Sequence, residues 1–129
     1  MNSVIEATRK LDISSKLGYN FKVGADKKVT PEALTLNAVS TGFEMDDSKL
    51  KWFGSNNFEN WELLQTGLIY YLDYNTLAKR ENSFLNGTYY IWLSYNDNEY
   101  DAYCTINAVY DGDPGKDGES PIVLIVENT

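Results

Sequence analysis

From residue 19 onward apolar and polar positions alternate. Tyr19, Phe21 and Val23 are separated by Asn20 and Lys22, and Leu34, Leu36 and Ala38 by Thr35 and Asn37. A period of two sends successive side chains to opposite faces of a strand, so each run predicts a strand with one buried face. Pro31, just before the second run, suits a strand start on a sheet edge. The same reading predicts strands over 49–53, with Leu50 and Trp52 on one side, over 61–65, and over 67–73, with Leu68, Tyr70 and Leu72 in step. Two more follow over 88–95 and 100–110, the last with Cys104, Ile106 and Ala108 on one face. The stretches 24–28, 54–60 and 96–99 carry turn residues, and Asn86-Gly87 is a strong turn signal. The stretch 74–84 is the best helix candidate in the body, short and set between strands.

About seven short strands, with no repeated helical crossovers, predict an all-β sandwich or barrel. The first eighteen residues fit no single pattern: weak helical spacing competes with a short strand through Val4, Ile5, Leu11 and Ile13. The tail changes character. Gly112, Gly115 and Gly118 open three successive Gly-x-y triplets, and Pro121 precedes the strand-like run Ile-Val-Leu-Ile-Val. The expected organisation is a leader over 1–18, a β-sandwich over 19–112, and a Gly-rich linker with a terminal strand over 113–129.

Composition narrows the function classes. A net charge of −8 opposes a phosphate backbone and an anionic membrane surface, so neither nucleic acid nor membrane is an expected partner. Residues 1–10 carry charges and no apolar run, unlike a signal peptide, and no stretch approaches the roughly 20 apolar residues of a membrane span. With no His and one Cys, a Ser-His-Asp set, a Cys-His pair and an internal disulfide are all excluded. Cys104 reads as a small buried hydrophobe. No spacing among the nineteen acidic residues singles out a hydrolytic pair. The expectation is a non-enzymatic domain without a cofactor.

Several motifs together carry a resemblance. Val29-Thr30-Pro31-Glu32-Ala33-Leu34-Thr35-Leu36-Asn37-Ala38 is followed by Gly42-Phe43; Leu50-Lys51-Trp52-Phe53 is followed by Trp61; Tyr100-Asp101 runs through Ile106 and Val109 to Asp111-Gly112. In this order they resemble the immunoglobulin-like modules of bacteriophage tail, baseplate and fibre proteins. The junction Gly115-Lys116-Asp117-Gly118-Glu119-Ser120-Pro121-Ile122-Val123 is similar to the collagen-like stretch that often follows such modules. The likeness covers about residues 19–123. Departures are a strand from Tyr100 that is one residue long for the pattern, which a β-bulge would absorb, and a long loop over 73–87. The resemblance implies an immunoglobulin-like antiparallel sandwich with a C-terminal extension. It further implies a spacer, assembly or weak host-binding role in a virion, among other virion structural proteins. The alternative is a carbohydrate-binding or adhesin module of a secreted protein at the bacterial cell surface.

Several features invite a site. Trp52 reads as a core anchor between sheets. Tyr90 and Trp92 alternate with Tyr89, Ile91 and Leu93, so one aromatic row faces outward. Trp61, Tyr90 and Trp92 are therefore candidates to stack on the sugars of a host cell-wall polysaccharide, set against plain cross-strand aromatic pairing. Gly112, Gly115 and Gly118 suit either the crowded axis of a homotrimer, where only Gly fits, or a flexible linker. Oxygen ligands for calcium at 96–101 read better as a hairpin tip. Asp111, Asp113, Asp117 and Glu119 begin like a calcium loop, but Gly115 stands where a third ligand belongs. Asn86-Gly87-Thr88 is a formal glycosylation sequon that reads as a turn.

Overall fold

The structure, a computed structural model, describes residues 8–111. In chain order the elements are β1 (Lys10–Ser15), β2 (Asn20–Val23), β3 (Val29–Thr30), β4 (Ala33–Thr41), a 3-10 turn (Asp47–Lys49), β5 (Leu50–Ser55), β6 (Glu62–Thr66), β7 (Ile69–Asp73), α1 (Tyr74–Ala78), β8 (Thr88–Tyr95) and β9 (Tyr100–Tyr110). The strands form two sheets, a narrow one in the order β1-β4-β7 and a wide one in the order β3-β2-β9-β8-β5-β6. The fold is all-β, with the sheets in a sandwich-like arrangement.

Alternation drives this layering. Leu34 and Leu36 of β4 and Leu72 of β7 meet Phe21, Leu50, Trp52, Tyr89, Ile91, Leu93 and Ile106 of the wide sheet, and each is essentially sealed from solvent. Trp52 fills the centre, and its indole Nε1 donates to the Gly67 carbonyl at 2.8 Å, so burial leaves no orphaned donor. The expected core positions on β4, β5 and β9 all face inward, Cys104 and Ala38 less completely than the rest.

The structure decides several points that periodicity left open. Lys10–Ser15 is a strand: it pairs antiparallel with β4, from Lys10↔Thr41 to Ser15↔Leu36, and buries Leu11 in the core. The described strands number nine rather than seven, the additions being β1 and the two-residue β3. The antiparallel expectation holds for every named pairing except β2 with β9, which is parallel, from Asn20↔Asn107 to Val23↔Tyr110. Most of the domain separates these strands, which supplies the long crossover that a parallel pair needs.

Three local expectations are corrected. Pro31 does not open an edge strand, since β4 is the middle strand of the narrow sheet; the proline precedes the first ladder residue, Ala33, and so removes no ladder bond. The helix over 74–84 stops at Ala78. Asp73 caps it by accepting from the Thr76 amide at 3.0 Å, but Leu77 is its only buried residue. Positions three and four beyond Leu77 are Arg80 and Glu81, so no apolar stripe continues. The bulge expected in β9 is absent there: β8 and β9 pair without interruption from Thr88↔Asn107 to Tyr95↔Tyr100. The register shift lies instead between Trp52 and Phe53, where β5 meets β6.

Candidate functional site

The outer face of the wide sheet is aromatic. On β8, Tyr89, Ile91 and Leu93 point into the core, which turns Tyr90 and Trp92 outward. The cross-strand register sets Phe53 of β5 and Tyr103 of β9 on either side of Trp92. Their rings stack on it, Phe53 at 4.6 Å and 28° and Tyr103 at 6.1 Å and 9°. Trp61, just before β6, meets Trp92 edge-on at 5.5 Å. The three residues singled out as stackers therefore do converge on one face, but they are half-buried against their neighbours and are not coplanar.

The exposed rings are others. Phe58 sits over the cluster, with ring centroids 5.0 Å from Trp61, 5.2 Å from Tyr90 and 5.3 Å from Tyr103. Phe58 and Tyr103 are each 50% exposed, so they present most of the open ring surface. Phe58 has φ of +61°, an unusual backbone state for a bulky residue. The loop around it is held by two amide side chains. Asn57 Oδ1 accepts from the Glu59 and Asn60 amides, both at 2.9 Å, and from Ser55 Oγ at 2.8 Å. Asn56 Nδ2 ties the loop to the Ser83 carbonyl at 2.9 Å.

Polar groups rim this face. Trp92 Nε1 donates to Asp101 Oδ1 at 2.8 Å, which fixes the indole orientation. Partial desolvation, and then the Asp101 carboxylate, hold the Tyr103 phenol above its usual range. Glu62, next to Trp61, accepts from Arg80 Nη2 at 2.8 Å and from its Nε at 2.9 Å, and this ion pair keeps the guanidinium charged.

Other candidate chemistry resolves differently. The oxygens at the hairpin tip already have protein partners: Asn98 Oδ1 accepts from Ser94 Oγ at 2.5 Å, Glu99 Oε1 from Asn96 Nδ2 at 2.6 Å, and Asp97 pairs with Lys51. Asn96, Asp97 and Asn98 all have positive φ, as a tight tip requires. Among the described residues no group of three or more His, Cys, Asp or Glu is placed to hold a metal ion. Asn86 and Gly87, at φ of +54° and +76°, form the expected two-residue turn between Leu85 and Thr88. Burial pushes the Cys104 thiol up to about 12, which leaves it un-ionised at neutral pH. No described helix is long and apolar enough to cross a membrane. Gly112, Gly115, Gly118, Asp113, Asp117 and Glu119 lie outside the described residues.

Sequence reasoning found half of the aromatic face. Phe53 was legible, because it has the opposite parity to buried Trp52, and Tyr103 likewise against Cys104. Phe58 carried no signal: it sits in a turn-rich stretch where alternation has no meaning. Comparison with protein-family models, with curated proteins and with solved structures finds no match to this chain.

Proposed function

We propose that this chain is a non-catalytic, immunoglobulin-like structural and adhesion module of a bacteriophage tail, baseplate or fibre. The observation that supports the immunoglobulin-like part of the reading is the strand order; the virion part rests on the motif resemblance. Immunoglobulin-like sandwiches set their first, second and fifth main strands in one sheet and their third, sixth and seventh in the other. Taking β1 and β2 as the two halves of a divided first strand, β1-β4-β7 and β2-β9-β8-β5 follow that order, with β6, the fourth main strand, beside β5 rather than in the narrow sheet. Trp52 then stands on the third main strand and packs between the sheets, where such folds keep a tryptophan. The inter-sheet disulfide of antibody domains has no counterpart, since there is a single Cys.

Adhesion enters through the aromatic face, whose ring faces suit the apolar faces of sugars in a host cell-wall polysaccharide. On a multimeric virion part, weak contacts of this kind gain strength from effective concentration. The partners are other virion structural proteins; the Gly112–Gly118 stretch suits either a trimer axis with two further copies of the chain or a linker. The aromatic face equally favours an adhesin module of a bacterial surface protein.

Two measurements test the reading. Co-sedimentation with purified bacterial cell walls is expected to retain the chain and to release the double variant Phe58→Ala/Tyr103→Ala. An antiserum against the chain is expected to decorate phage tails; decoration of uninfected cells would overturn the virion assignment in favour of the surface adhesin.

A further inference from the structure

The geometry points to a polysaccharide bearing free amino groups as the ligand of the aromatic face, with Phe58 and Tyr103 as its stacking platform and Asp101 as its charged rim. This inference rests on the adhesion reading above.

Charge selects the ligand class. Asp101, bonded to Trp92, and Glu59, next to Phe58 in the chain, are exposed carboxylates, and neither makes an ion pair among the described residues, whereas Asp97 is paired with Lys51 and Glu62 with Arg80. Aromatic ring faces carry negative quadrupole potential and attract cations. Rings and rim therefore act with the same sign, on a chain whose net charge is −8. A polyanion is repelled here, and an ammonium group is drawn to the place where the rings lie open. An amino sugar combines the two required parts, an apolar ring face for stacking and an ammonium group for the rim.

Phe58 is the deciding residue. Its left-handed backbone persists because Asn57 Oδ1 holds the two amides that follow it. Strained residues held by their surroundings concentrate at ligand clamps. Here the strained position carries a half-exposed ring of the cluster, within 5.3 Å of Trp61, Tyr90 and Tyr103. Asp101 is already oriented by Trp92 Nε1, which engages one carboxylate oxygen.

The test is calorimetric titration of the full chain with a β-linked glucosamine hexamer and with its fully N-acetylated counterpart. The amine form is expected to bind, and the acetylated form about tenfold more weakly. Phe58→Ala and Tyr103→Ala are each expected to weaken the amine form by about tenfold. Asp101→Asn keeps an oxygen for the Trp92 N–H and is expected to weaken only the amine form. Added salt is expected to do the same by screening. Tyr71→Ala, an exposed aromatic of β7 in the other sheet, serves as the control and is expected to change nothing. Equal affinity for both hexamers would overturn the ammonium assignment and leave adhesion standing. Binding of neither hexamer, with cell walls still retaining the chain, would do the same. Polylysine competing as well as the amine hexamer would overturn the sugar in favour of a cationic protein partner. Loss of cell-wall retention with hexamer binding intact would sink the adhesion reading and leave amine recognition in place.

Discussion

Tyr89 shows how one side chain constrains its neighbour. Its hydroxyl is buried without a hydrogen-bond partner, and a Cβ added to Gly54 would lie 2.1 Å from it. An orphaned buried hydroxyl costs roughly 1–3 kcal/mol. Tyr89→Phe is therefore expected to raise stability by about 1 kcal/mol in urea denaturation. Gly54→Ala is expected to lower it by about 1–3 kcal/mol through overpacking, and the double variant to recover part of that loss. Cys104 gives a pH prediction. Burial raises its thiol from an ordinary 9.0 to about 12, so the folded state holds its proton where the unfolded chain releases it. The stabilisation is complete below pH 9 and is lost as pH rises towards about 12. At pH 8, alkylation of Cys104 is expected to be slow in the native protein and fast in urea. The burial of Cys104 was legible in the sequence, whereas the Tyr89–Gly54 contact was not, because it depends on which strand lies beside β8.

At the scale of elements, parity was the reliable signal. Leu34, Leu36, Leu50, Trp52 and Ile106 alternate with polar or outward residues and are all sealed in the core. Trp52→Ala removes the largest of these side chains and its bond to Gly67, and is expected to cost about 3–5 kcal/mol in chemical denaturation. Parity failed where elements were short or mixed. β1 carries Leu11 and Ile13 among charged residues, and only pairing with β4 makes it a strand. The helix after β7 had a cap but no apolar stripe to prolong it. The aromatic face divides in the same way: Trp61, Tyr90 and Trp92 were legible from strand pattern, and Phe58 was not, because its place follows from loop hydrogen bonds to Asn57.

For the whole molecule, light scattering at low and high concentration is the deciding measurement. A stable species of about three times the 14.7 kDa chain is expected if Gly112, Gly115 and Gly118 line a trimer axis; a monomer at both concentrations would reduce that stretch to a linker. The sequence by itself determined the all-β class, most strand positions, the inward residues of β4, β5 and β9 and the absence of His-dependent chemistry. These follow from the two-residue period of a strand and from composition, both local properties. Only the tertiary structure decided the division into sheets of three and six strands, the parallel pairing of β2 with β9, the central place of β4, and the seating of Phe58 over Trp61, Tyr90 and Tyr103. Alternation states which way a side chain points relative to its own strand. Which strand lies beside it is settled by the packing of the sheets against one another.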